Sequence, residues 1–155
     1  MTQIRRAITS DIPQIVHIWK EFVSNHQASF QFFARSPQNS EHYATFLQKK
    51  LMETSTLLLI SEDINIVNGF IHIEIVNALQ GYIKNEYGYI HELIVQESFQ
   101  GKGIGKMLYK QSIQWLINRK ITRVELDIAT TNPNAWNFWH ALGFKKQNNT
   151  YFSEI

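Results

Sequence analysis

Residues 100–106 read Gln100-Gly101-Lys102-Gly103-Ile104-Gly105-Lys106. The glycines remove side chains where a backbone would have to close around a ligand, and Lys102 and Lys106 place positive charge beside them. Such a turn at the start of a helix suits a phosphate, because N-terminal N–H groups point at the anion. The helix dipole adds roughly 0.3–1 kcal/mol in exposed sites. Three phosphate-binding patterns compete for the segment. A P-loop, Gly-x-x-x-x-Gly-Lys-Ser/Thr, fails at both ends, with Gln100 first and Met107 where the magnesium-binding hydroxyl belongs. A dinucleotide fingerprint, Gly-x-Gly-x-x-Gly, matches Gly101 and Gly103 but meets Lys106 at its third glycine, although Asp127 lies at a suitable distance downstream. The third pattern, Gln/Arg-x-x-Gly-x-Gly/Ala, is filled completely by Gln100, Gly103 and Gly105. The plainer alternative is a glycine-rich helix entry that holds nothing.

The elements that must position this turn follow from periodicity. Residues 3–8 form a short first strand, and Ser10 or Asp11 caps a helix with Pro13 in its first turn, running to about residue 24. A second helix after Ser40 carries Tyr43, Phe46, Leu47 and Leu51 on one face. Residues 56–61 are a β-type run and 62–68 a turn. Residues 69–76 alternate, Phe70, His72, Glu74 and Val76 against Ile71, Ile73 and Ile75, which predicts a half-buried antiparallel strand. After a loop at 77–87 comes a strand over 88–95, then the glycine turn and a helix over 104–118. The buried side of that helix is marked by Ile104, Met107, Leu108, Trp115 and Leu116. A strand follows over 122–128, then a helix opened by Pro133 and stopped by Gly143, and two short closing strands at 144–146 and 150–154. Strands in a run before the glycine turn, alternating with helices after it, indicate an α+β fold with a mixed sheet.

The chain has 155 residues, which predicts one domain spanning 1–155. With no cysteine, disulfides, thiolate metal sites and cysteine nucleophiles are excluded. The six histidines form no HxxxH or HxH pair, so no metal is expected. A formal charge of +2 is no mark of a nucleic-acid binder. No apolar run approaches the roughly 18 residues that span a membrane. Arg5 and Arg6 are followed by no signal-type apolar stretch, and the expected compartment is cytoplasmic.

Two blocks carry a resemblance. The first is Tyr89-Ile90-His91-Glu92-Leu93-Ile94-Val95 followed by the glycine turn; the second is Asn132-Pro133-Asn134-Ala135-Trp136-Asn137-Phe138-Trp139-His140-Ala141-Leu142-Gly143-Phe144. The second is similar to the pattern Asn-x-x-Ala-x-x-Phe-Tyr-x-x-x-Gly-Phe. In both blocks and their spacing the chain resembles the GNAT superfamily of acyl-CoA N-acyltransferases. The resemblance implies a three-layer fold with a mostly antiparallel sheet of about seven strands and about four helices. It implies acetyl-CoA as co-substrate, a primary amine of a small molecule or peptide as acceptor, and direct attack on the thioester. It also assigns roles. The backbone of Leu93, Ile94 and Val95 pairs with the pantetheine arm. The N–H groups of Gly101, Lys102, Gly103, Ile104, Gly105 and Lys106, after Gln100, hold the pyrophosphate, and Asn132 and Ala135 approach the pantetheine from the other side. Many members dimerise; a homodimer is compatible with the chain, and no interface is legible in it.

Acetylating an amine requires a base, a donor for the tetrahedral oxygen and a proton for the departing thiolate. His91, with an ordinary imidazole pKa of ~6.5, is the favoured base and Glu92 the second choice. Strand alternation puts them on opposite faces unless the strand bulges. The resemblance makes a tyrosine the usual acid, but Trp139 stands there; an indole donates a hydrogen bond without delivering a proton, so packing is its plainer role. Phe30, Phe32 and Phe33 fall where the family builds its acceptor wall. Two other classes stay open: a non-catalytic acyl-CoA-binding or sensor module, motivated by Trp139, and a dinucleotide-binding oxidoreductase, resting on Gly101, Gly103 and Asp127.

Overall fold

The computed structural model describes residues 1–26, 37–78, 86–148 and 153. Its elements are β1 (Gln3–Arg6), α1 (Ile12–Asn25), α2 (Ser40–Leu51), β2 (Thr56–Asp63), β3 (Ile66–Asn77), β4 (Glu86–Val95), α3 (Ile104–Asn118), β5 (Val124–Glu125) and α4 (Pro133–Ala141). The strands form one sheet in the order β1-β2-β3-β4-β5. The first three pairs are antiparallel, and β4 and β5, joined through α3, are parallel. The expected α+β architecture is present, with five strands among the described residues rather than about seven. Residues 144–146 form no strand: they follow the left-handed Gly143 (φ 92°) that ends α4, and Phe144 packs on the core beside Trp139 instead of joining the ladder. The other expected closing strand, at 150–154, lies outside the described residues except for Ser153.

Helices cover both faces of the sheet. From α1, Ile12, Ile15, Ile18, Trp19 and Val23 pack with Leu47 of α2 against Leu58, Ile60, Phe70 and Ile94. On the other face Ile104, Leu108, Trp115 and Leu116 of α3 and Trp139 of α4 meet Leu57, Leu59, Ile71, Ile73 and Ile90. Met107, expected on the buried side of α3, is 39% exposed. The half-buried reading of β3 is corrected as well: Phe70, Ile71, His72 and Ile73 are all 0% exposed, because β3 is the central strand of a three-layer stack. Residues 62–68 are not a long turn. They continue β2 and β3 into a hairpin whose two loop residues, Ile64 and Asn65, have φ of 50° and 62°, the left-handed pair that a tight hairpin requires.

Asp11 stands at the start of α1 but makes no side-chain cap hydrogen bond there. Its carboxylate turns back instead. It accepts the Ile8 N–H at 2.7 Å and both Arg5 terminal nitrogens, at 2.7 and 2.9 Å. Arg5 also reaches Glu62 of β2 at 2.8 and 2.9 Å, so one guanidinium ties β1, β2 and the entry to α1 together. Arg5 holds the Asp11 carboxyl below its ordinary pKa, with the Ile8 N–H assisting. A depressed carboxyl stabilises the fold above its unfolded pKa, and the contribution fades as pH falls through the folded value. Asp11→Asn should therefore lose about 1.5–3 kcal/mol at neutral pH. In urea melts run from neutral pH downward, the gap to the parent should narrow only below about pH 4. A constant gap down to pH 2 would show that the carboxylate charge contributes nothing.

Candidate active site

Opposite β3, the strand β4 carries one residue too many. His72 faces Glu92 and Ile73 faces Ile90, which leaves His91 as the extra residue of a β-bulge. The bulge settles the orientation left open by alternation. His91 stacks on His72 with ring centroids 4.6 Å apart, while Glu92 bonds to residues of α1 and α2, so both project from the same face of the sheet. A second consequence lies on the opposite edge of β4. It pairs with β5 only at Gly88↔Val124 and Tyr89↔Glu125, and beyond them the two segments diverge. The strand expected over 122–128 is thus limited to Val124–Glu125. The divergence opens a cleft of about 180 Å³ walled by Ile90, His91, Glu92, Leu93 and Ile94 on one side and Leu126, Asp127, Ile128 and Ala129 on the other.

The two candidate bases sit in different surroundings. Glu92 is 8% exposed. One oxygen accepts the Trp19 indole N–H at 3.1 Å and the other accepts the Tyr43 hydroxyl. Trp19 and Tyr43 are themselves stacked at 4.3 Å, so Glu92 is clamped between α1, α2 and the sheet. His91 is more open, with 31% of its side chain exposed, and its Nε2 lies 3.1 Å from Glu74 Oε2. Glu74 is fixed by Lys50, whose ammonium lies 2.9 Å away and which also reaches Glu53 at 2.8 Å. Burial, with His91 and Lys50 nearby, pushes the pKa of His72 down to about 3, so this neighbour is a neutral imidazole. With a carboxylate accepting Nε2–H, the neutral tautomer of His91 has its lone pair on Nδ1, the arrangement a base needs.

At the glycine turn the chain is left-handed at Gly101 (φ 74°) and Gly103 (φ 80°), and Ile104 opens α3. A Cβ would meet nothing at either glycine, so the backbone dihedral, not space, excludes other residues. Gly105 is different, since a Cβ there would come 3.3 Å from Phe138 of α4. The Gln100 amide donates to the Val95 carbonyl at 3.0 Å, folding the turn back on the end of β4. Lys102 lies over the Phe99 ring at 4.8 Å. The first-turn N–H groups of α3, at Ile104, Gly105 and Lys106, have no carbonyl within the helix to bond. Unbonded donors at the start of a helix are suited to an anion.

The far wall is α4. Asn132 Oδ1 caps it by accepting the Ala135 N–H at 3.1 Å, and both residues line the cleft. At the other end Gly143 (φ 92°) closes the helix. Its N–H bonds to His140 and that of Phe144 to Trp139, with the Trp139 and Phe144 rings 5.1 Å apart. This is a Schellman stop with its apolar contact. It fixes Trp139, 7% exposed, between Tyr109, Phe138 and Phe144 at the edge of the cleft. Asp127, the ribose candidate of the dinucleotide reading, instead accepts the Tyr89 hydroxyl at 2.6 Å.

The described residues thus bring His91, Glu92, Leu93, Ile94, Asn132, Ala135 and Trp139 to one cleft, with the glycine turn beyond the end of β4. Phe30, Phe32 and Phe33 lie outside the described residues. Sequence reasoning missed Glu74, Trp19 and Tyr43, which hold the two candidate bases, and Phe22 and His26, which close the α1 end of the cleft. Strand pairing supplies the only signal for Glu74, and its register lies beyond single-sequence patterns.

Residues 18–144 match the sequence profile of the Acetyltransferase (GNAT) family. A protein of Archaeoglobus fulgidus named as an uncharacterized N-acetyltransferase is 24% identical over 137 residues, covering 88% of each chain. An uncharacterized N-acetyltransferase of Methanocaldococcus jannaschii is 34% identical over 71 residues; these are 46% of this chain and 31% of that protein, so this chain spans under a third of that relative. Among solved structures, an aminoglycoside N-acetyltransferase in complex with CoA has the same fold, with a TM-score of 0.81 and 16% identity over 100% of this chain and 95% of that one. The matched profile runs from α1 through the bulged strand and the glycine turn to the Schellman stop of α4, and this chain belongs to the GNAT acetyltransferase family.

Proposed function

We propose that the chain transfers an acetyl group from acetyl-CoA to a primary amine of a small molecule or peptide. The observation that carries the reading is the divergence of β4 from β5 beside a left-handed glycine turn, with the bulge residue His91 facing the opening. Family membership supports N-acetyltransferase activity in general, and the CoA complex of the fold neighbour supports CoA as the carrier.

In this reading the pantetheine arm lies along the β4 edge at Leu93, Ile94 and Val95. The donors of residues 101–106 hold the pyrophosphate, and Asn132 and Ala135 bound the arm from α4. His91 Nδ1 takes the proton of the attacking ammonium, while Glu74 accepts Nε2–H and stabilises the imidazolium. The neutral amine then forms a C–N bond to the thioester carbonyl, whose oxygen is held by a backbone N–H of β4. The C–S bond breaks, and the proton still carried by the cationic nitrogen of the new amide passes to the departing thiolate at the Trp139 end of the cleft. Glu92, with each oxygen already paired, shapes the wall beside His91 rather than moving protons.

Calorimetry with acetyl-CoA should show binding to one site per chain, and Gly103→Val should weaken it at least about tenfold by forcing a β-branched residue into the left-handed region. Absence of binding by the parent protein would sink the reading. In a CoA-release screen over amines, His91→Gln should lower kcat by about 10²–10⁴-fold with CoA affinity kept. Glu74→Gln should produce a smaller loss of the same kind. Undiminished turnover in His91→Gln would move the base elsewhere. Trp139→Phe should keep most of its turnover, because the indole is packed among three aromatic rings. A large kcat loss would instead assign it as a hydrogen-bond donor to the leaving thiolate. CoA binding without release across the whole amine panel would favour the sensor reading.

A further inference from the structure

His72, Glu74 and His91 converge on the α1–α2 face of the sheet. One ring nitrogen of each histidine and a carboxylate oxygen of Glu74 all lie within 4.8 Å of one another. His72 and Glu74 are two apart on β3 and so share a face; the bulge brings His91 over to them. The second observation concerns His72 alone. It is 0% exposed, yet neither Nδ1 nor Nε2 has a hydrogen-bond partner. A buried imidazole normally has both nitrogens satisfied. Here a ring with both nitrogens unpartnered lies against a second imidazole and within reach of a carboxylate.

We propose that His72, Glu74 and His91 form a binding site for a divalent transition-metal ion of the zinc class. Two imidazole nitrogens and one carboxylate oxygen are a donor set this class accepts, with the fourth position left to water. The His72 and His91 rings are stacked within 20° of parallel, so they must tilt toward each other to bring their nitrogens to about 2.0–2.1 Å from an ion. Lys50 sets the affinity. Its ammonium, 2.9 Å from the other Glu74 oxygen, repels a dication, but it has a second anchor on Glu53 at 2.8 Å to which it can withdraw.

A regulatory consequence follows, and it rests on the reading of His91 as the base. A metal on Nε2 leaves the single ring proton on Nδ1, which removes the lone pair that would accept the amine proton. Metal binding would then switch acetyl transfer off, and a chelator would restore it.

The test is titration of tag-free, metal-free protein with Zn²⁺ against a chromophoric chelator. One ion per chain is expected, with Co²⁺ giving the visible absorption of a four-coordinate site. His72→Phe and Glu74→Gln should each weaken binding by at least about tenfold, and Lys50→Met should tighten it. The proposal is overturned if the parent does not compete with the chelator, or if His72→Phe, folded by circular dichroism, binds as tightly. Should His72→Phe fail to fold, Glu74→Gln decides by the same criterion. Inhibition by Zn²⁺ is read separately: binding without inhibition keeps the site and removes His91 from the base role.

Discussion

The pairing of His72 with Glu92 and of Ile73 with Ile90 leaves one residue of β4 without a place in the ladder. An extra residue cannot be held flat, so the strand bends and its twist increases. That bend is the constraint the site depends on. It rotates His91 onto the face already occupied by Glu92, and β4 parts from β5 just beyond Tyr89, opening a cleft between β4 and the segment that follows β5. It also lays the His91 ring over His72, within reach of Glu74. Two neighbouring residues of one strand thereby serve different ends. Glu92 is drawn into the α1–α2 layer by Trp19 and Tyr43, and His91 stays at the opening.

Much of this was legible in the chain, for identifiable reasons. Elements with strong apolar periodicity or a sharp stop fell where periodicity put them, as with α3 and the Gly143 end of α4. Failures arose where tertiary context overrides pattern. The alternation in β3 suggested one wet face, but a central strand under helices on both sides buries polar His72 together with Phe70. Asp11 looked like a cap and became a partner for Arg5, because a guanidinium satisfying two carboxylates outcompetes a local turn. The conjunction of His91 with His72 and Glu74 had no sequence signature, since the eighteen residues between His72 and His91 hide a contact that only register creates.

The family-like blocks also acquire physical content. The spacing from Asn132 to Ala135 is that of a cap and the N–H it receives. The spacing from Trp139 to Phe144 is that of a Schellman stop and its apolar clasp. The aromatic at 139 is thus held by backbone geometry at the end of its helix, whichever ring it carries. A tryptophan there keeps the clasp while giving up a phenolic proton.

Gly105 joins these parts in one dimension. Its missing methyl is what lets the start of α3 come against Phe138, since a Cβ would already stand 3.3 Å from that ring and 3.7 Å from Leu93. The residue therefore acts as a width gauge. It sets how far the N-terminal end of α3 stands from the opposite helix and from the bulged strand at once. A single added carbon would crowd Phe138 by a few tenths of an ångström, so that ring or the start of α3 would have to give way although no residue lining the cleft had been replaced.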